Sequence, residues 1–300
     1  MPYDAKDPRA GLTPGPAVDK TPTEFAGTDY VKFYETPPDE TSQGVKTWYA
    51  RGQNLIIAYT EASAGTIFSR SGQPDEYMLL LPDRDMSVEV TTGEGVKRVA
   101  GYSLTIIPPG ESSVRALVKG RLFRLFTVLS EDLARKCSNA KSYATPHVNV
   151  APFEPWPAPS SGYRLRTYSL DVSPQEGRFG RIWRCSTMMV NFLDVQSGPR
   201  DTTKMSPHAH DDFEQISLAV EGVFVHHIRW PWITNMTKWR DDEHEECGTV
   251  SVAVIPPPSI HTTGAVGKGA NQLVDLFCPP RLDFSQKQGW VLNSDEYPMP

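Results

Sequence analysis

The residues most able to do chemistry lie in two stretches, Pro207-His208-Ala209-His210-Asp211-Asp212-Phe213-Glu214 and Ile255-Pro256-Pro257-Pro258-Ser259-Ile260-His261. Three imidazoles and a carboxylate can take four positions around a divalent transition metal and leave one or two for a substrate or O₂. His208 and His210 face one way on an extended segment. Asp211-Asp212 makes the turn that follows them. From Phe213 to Gly222 the chain alternates, with Glu214, Ile216, Leu218 and Val220 on one face and Gln215, Ser217, Ala219 and Glu221 on the other. On this reading Glu214 points inward, where an ionised carboxylate among apolar side chains needs a cation or strong donors. The three prolines before His261 fix the backbone without donating N–H groups, which suits a rigid corner at a barrel mouth. The expected metal ligands are therefore His208, His210, Glu214 and His261. No acid/base group beside them can be named from the sequence. His226 and His227 follow the Glu214 strand, and alternation sends one inward, as a proton shuttle or a satisfied core histidine. His147 and His244 read as solvent-exposed.

The elements that must position these residues are short strands. Leu55-Ile56-Ile57-Ala58-Tyr59, Tyr77-Met78-Leu79-Leu80-Leu81, Val88-Glu89-Val90, Leu104-Thr105-Ile106-Ile107 and Leu122 to Val128 are apolar or alternating runs separated by turn residues. That rhythm, with 27 Pro and 22 Gly in 300 residues, predicts an all-β protein. Ser130 to Lys136 is the best short helix. Residues 1–45 read as an extended N-terminal arm, 46–136 as a first barrel, 137–162 as a proline-rich linker, and 163–300 as a second barrel with a tail.

An internal repeat supports that division. Glu76-Tyr77-Met78-Leu79-Leu80 aligns with Glu214-Gln215-Ile216-Ser217-Leu218, and Ile107-Pro108-Pro109-Gly110 with Ile255-Pro256-Pro257-Pro258. Phe123-Arg124-Leu125-Phe126 answers Val274-Asp275-Leu276-Phe277. The extra residues of the second copy fall between Arg229 and Glu246 and read as a solvated hairpin, with a lid over a neighbouring site as the alternative. In the first copy Arg70, Gly72 and Ser113 stand where the histidines would be. Only Glu76 survives, with Arg70 or Arg115 as its expected partner.

These residues resemble the cupin superfamily, and the duplication resembles a bicupin. The first cupin motif has His-x-His, three or four residues, a Glu and a later Gly, matched by His208, His210, Glu214 and Gly222. The second has Pro-x-Gly-x-x-His, matched from Pro256 to His261 with Pro258 in place of the Gly. The glycine that opens the first motif is absent, with Thr202 near its place, and Ala265 replaces the Asn expected after the last His. The resemblance implies two tandem double-stranded β-helix (jelly-roll) barrels, with metal ligands in the C-terminal one. It implies a divalent transition metal, with Fe²⁺ favoured and Mn²⁺, Ni²⁺ or Zn²⁺ as alternatives. Cupins with such a site include dioxygenases, sugar isomerases, oxalate-type decarboxylases and binding proteins. The expectation here is a dioxygenase acting on a small organic acid, phenol or diketone. A non-catalytic binding bicupin and a metal-dependent sugar-acid isomerase or lyase are the alternatives.

Composition narrows the partners. A formal net charge of −6 gives no electrostatic footprint for nucleic acid or an anionic membrane. No apolar run approaches the ~20 residues needed to span a bilayer, and the first residues resemble neither a secretory signal nor a transit peptide. A cytoplasmic protein is expected, with a small-molecule substrate or ligand and a homodimer as its assembly. Cys137, Cys185, Cys247 and Cys278 are too dispersed for a disulfide framework or a thiolate zinc site.

Overall fold

A computed structural model describes residues 25–300 together with Pro8. The remainder of the expected N-terminal arm lies outside the described residues.

Among the described residues the strands form four antiparallel sheets. The first large sheet runs Ser103–Ile107, Tyr77–Leu81, Gly120–Thr127, Leu55–Ala62, Val45–Arg51 and Glu40–Ser42. Its first five strands are matched in the second half by Ser251–Ile255, Gln215–Glu221, Ala270–Phe277, Met189–Phe192 and Arg181–Arg184, and Glu40–Ser42 has no counterpart there among the described residues. Each large sheet is closed by a small one. In the first half this is Ile67–Gln73, Gly110–Ala116, Ser87–Thr92 and Gly95–Ala100; in the second it is Ile260–Ala265, Val223–Arg229 and Glu243–Gly248. The counterpart of Ile67–Gln73 is reduced to a single bridge between His208 and His261.

The leading strand of each half belongs to the other half's sheet. Asp29–Lys32 pairs with Ser251–Ile255, and Arg166–Ser169 pairs with Ser103–Ile107. The arm segment 29–32 and the strand after the linker are thus reciprocal edge strands. The repeat extends to them.

The two large sheets pack face to face. Trp48, Ile57, Met78, Leu80, Leu104, Phe123 and Leu125 meet Val190, Ile216, Leu218, Val252, Val274 and Leu276 in one apolar cluster. Because successive strand residues point to opposite faces, the residues between them line the barrel interiors. In the first barrel these are Tyr77, Leu79, Leu81, Val88, Val114 and Phe126, which fill it. In the second they include Gln215, Ser217, Asn191 and Asp275, all buried. Burial drives both halves; the first barrel's inward face also carries Thr47, Thr60, Thr105 and Arg124, with Arg124 held over the Phe68 and Phe126 rings, whereas the second barrel groups its polar residues beside the histidines.

A short helix, Glu131–Ala134, follows the first barrel, and the Ser130 hydroxyl bonds Gln73 instead of capping it. The tail is folded back on the body, with Trp290 and Tyr297 buried. All four cysteines are free and buried. Burial raises the Cys137 and Cys185 thiols to about 12 and the Cys247 thiol to about 11, which makes them inert at neutral pH. No helix among the described residues is long and apolar enough to cross a membrane.

Candidate metal centre

His208 and His261 are directly opposed across two strands. The His208 N–H donates to the His261 carbonyl at 3.0 Å, and the His261 N–H returns a bond to the His208 carbonyl at 2.7 Å. A hydrogen-bonded antiparallel pair sets both side chains on one face. Two residues on, His210 shares that face. One ring nitrogen from each of the three lies within 4.8 Å of the others, and all three residues are buried. Among the described residues this is the one group of three or more His, Cys, Asp or Glu side chains close enough to share an ion.

The surroundings suit a metal. His208 Nδ1 lies 2.9 Å from the Ser206 carbonyl and His261 Nδ1 3.2 Å from the Ser259 carbonyl. Each carbonyl fixes the Nδ1–H tautomer and leaves the Nε2 lone pair facing the centre, the second-layer pattern that metal-bound histidines require. Burial, then the charges of Arg281, His261 and His208, hold His210 well below the usual histidine range. A neutral imidazole is the form that ligates. The Phe213 ring stacks on His210 at 4.4 Å and fixes its plane.

The structure differs from the expectation at Glu214, which it does not bring to the triad. Its Oε2 accepts from the Gln53 N–H at 2.6 Å, in the turn between Val45–Arg51 and Leu55–Ala62 of the first barrel. A Cβ at Gly52 would lie 2.6 Å from that oxygen, so the approach depends on glycine. The other oxygen, Oε1, lies 3.8 Å from His147 Nδ1. The expected parity of Glu214 with Ile216 and Leu218 holds, but the face they share is the seam between the barrels. His147, expected in solvent, is half-buried against this carboxylate, which pushes its pKa up.

Glu76 behaves as the counterpart of Glu214. It pairs with neither Arg70, which meets Asp132 at 2.6 Å, nor Arg115, which lies 3.6 Å from Glu89. Instead it accepts from Ser186 N at 3.0 Å, Ser186 Oγ at 2.7 Å and Tyr297 OH at 2.8 Å. Ser186 lies in the turn between Arg181–Arg184 and Met189–Phe192 of the second barrel. Each half thus sends one buried carboxylate into a turn of the other.

On the opposite face of the strand, Gln215 occupies the place beside the triad. Its Oε1 lies 3.0 Å from His210 Nε2 and 3.4 Å from His261 Nε2, while its Nε2 donates to Ser217 Oγ and Asp275 Oδ1, each at 3.2 Å. Ser217 Oγ also donates to Asp275 at 2.9 Å. His208, His261, Gln215, Asp275, Arg200 and Asn271 all line a cavity of about 320 Å³. Asn271 Nδ2 donates to the Gly267 and Gly269 carbonyls at 2.9 and 3.1 Å, and its Oδ1 accepts from Val223 N, so it ties the mouth together. Gly222 is required there, with φ +84° and Asn271 Oδ1 only 2.2 Å from where a Cβ would sit. None of the residues between Arg229 and Glu246 lines this cavity, so that insertion is not placed as its lid.

His226 is the inward member of its pair. Its Nδ1 meets Thr263 Oγ1 at 2.9 Å, and burial lowers its pKa to about 3, which keeps it neutral. His227 and His244 face each other across strands, with Nδ1 to Nδ1 at 2.7 Å.

Solved structures with the same arrangement of sheets include an oxalate decarboxylase of Lactobacillus farciminis in its formate complex. It is 15% identical, the match covers 84% of this chain and 86% of that one, and the TM-score is 0.54. A mutant of the Bacillus subtilis oxalate decarboxylase is 14% identical over 87% of this chain and 79% of its own, with a TM-score of 0.54. AerE from Microcystis aeruginosa is 8% identical over 80% and 94%, with a TM-score of 0.53. The chain has the cupin fold. No protein-family model and no curated protein matches the sequence. In the first barrel the Tyr77 ring takes the place that Gln215 holds in the second, stacking on Phe126 at 4.8 Å and meeting Ser112 Oγ at 3.0 Å. The first barrel is thereby closed where the second is open.

Sequence reasoning missed Gln215 and Asp275. The signal was present: both are polar residues that interrupt otherwise apolar central strands, and burying them without partners costs several kcal/mol, of the order of 2–7.

Proposed function

We propose that the protein is a metal-dependent enzyme in which His208, His210 and His261 hold a divalent ion, with Fe²⁺ favoured. O₂ and a small organic acid, phenol or diketone would be its substrates. The observation that supports this is the convergence of three buried imidazoles, two of them with tautomers fixed by backbone carbonyls and lining a cavity whose volume suits a small molecule. A bound ion supplies open coordination positions and, as iron, redox capacity. The chain supplies the rest. Phe224 and Leu273 give the cavity apolar wall and exclude water, and Asp275 offers a buried carboxylate that can take a proton from a substrate hydroxyl.

The reading is tested by loading the protein anaerobically with Fe²⁺ and screening small acids, catechols and diketones for those that perturb the metal's spectrum. Oxygen uptake with at least one of them, lost in His261→Ala, is the expected result. If every spectrally active compound leaves the oxygen concentration unchanged, the oxygenase reading is abandoned. Asp275 favours a second reading, an isomerase or lyase, because it is the acid/base group such a reaction needs. Turnover that persists without oxygen would select it.

A further inference from the structure

We propose that Gln215, not Glu214, is the fourth protein ligand of this centre and that Asp275 aims it, making a site with neutral ligands only. The inference rests on the metal reading above and deepens it. Two ligand atoms at right angles around an ion, each ~2.1 Å from it, stand ~3.0 Å apart. Gln215 Oε1 stands at 3.0 and 3.4 Å from the two histidine nitrogens, as a ligand adjacent to both would.

The amide has only one workable orientation. Its Nε2 donates to Ser217 Oγ and Asp275 Oδ1, and turning the amide over would set its oxygen against the Asp275 oxygen that the Ser217 hydroxyl already reaches. Asp275, itself held by the Ser217 hydroxyl, therefore presents the Gln215 oxygen to the histidines. Asp275 is a positioning residue here. Glu214 is committed elsewhere, to the Gln53 N–H at the seam between the barrels.

A carboxylate ligand would cancel one charge of a divalent ion. An amide cancels none, so the open positions keep more attraction for an anion than a carboxylate ligand would leave them. The geometry points to an anionic oxygen donor, a carboxylate or phenolate, as the class of ligand the centre accepts.

The experiment uses Co²⁺ as the metal probe and azide as the anion, on the full chain. Visible-spectrum titration of the wild type, Gln215→Ala, Gln215→Glu, Asp275→Ala and Glu214→Gln separates the possibilities. Gln215→Ala and Asp275→Ala should each weaken Co²⁺ binding by about 10- to 100-fold and shift the ligand-field bands. Glu214→Gln should bind Co²⁺ within about threefold of the wild type with unchanged bands. Gln215→Glu should keep the ion and lower azide affinity by at least about tenfold. Loss of Co²⁺ in Glu214→Gln, with Gln215→Ala indistinguishable from the wild type, overturns the assignment. If Glu214→Gln does not fold, the two Gln215 variants decide alone: unchanged bands and unchanged azide affinity in both overturn it. A wild-type chain that binds no Co²⁺ overturns the underlying metal reading instead.

Discussion

At the scale of single residues, the second barrel keeps His210 and His226 neutral by burying them. For His226 burial comes first, followed by the charges of His261 and His227, and its pKa falls to about 3. The unfolded chain binds a proton near pH ~6.5 that the folded chain refuses. Between those values the unfolded state holds more protons, so stability falls as pH falls. Below about pH 6.5 the wild type should lose stability progressively, by several kcal/mol on the scale of ~1.4 kcal/mol per pH unit of difference. Urea denaturation of the wild type and His226→Gln at pH 7.5 and 4.5 checks this. The variant should show the shallower pH dependence, and parallel losses in both would discard His226 as the cause. The three histidines were legible as a group because His208 and His210 are two apart in sequence and the prolines before His261 mark a rigid turn. The Glu214 assignment failed to predict its surroundings for a physical reason: alternation says which residues share a face, but not what that face packs against. In an isolated barrel the apolar face of Gln215–Glu221 would be the inside. Here it meets a second sheet, and the polar face of Gln215, Ser217 and Asp275 is the inside.

At the scale of elements, the tail acts as a fastener. Tyr297 is fully buried and donates to Glu76, and the Arg184 guanidinium donates to the carbonyls of Tyr297 and Pro298. A buried carboxylate that loses a donor pays in desolvation, and hydrogen bonds to charged groups are worth about 1.5–3 kcal/mol. Tyr297→Phe should therefore destabilise the chain by about 2 kcal/mol while leaving metal affinity unaltered. Thermal denaturation and Co²⁺ titration of that variant measure the two. A change under about 0.5 kcal/mol would mean that the Ser186 donors satisfy Glu76 unaided. The sequence made the strands, the repeat and the short helix at Ser130 visible through local pattern. It did not reveal the tail's role, because a buried Tyr–Glu bond between residues 221 positions apart leaves no local periodicity.

At the scale of the whole molecule, the two barrels share one continuous apolar core and hold each other through Glu214 at Gln53 and Glu76 at Ser186. Such a body should unfold as a unit. A fragment of residues 46–136 lacks the strand Arg166–Ser169 that borders its large sheet, and it would expose the face carrying Trp48, Ile57 and Phe123. It should be insoluble or unfolded when produced alone, as judged by circular dichroism and sedimentation, and a soluble, cooperatively melting fragment would contradict the shared core. The exchange of Asp29–Lys32 for Arg166–Ser169 has a further consequence. Two subunits that trade edge strands form a dimer whose stability falls with dilution. Joined in one chain, they hold the partner at fixed effective concentration, however dilute the protein becomes. The half that carries the histidines thus has a permanent partner in the half whose interior Tyr77 and Phe126 fill.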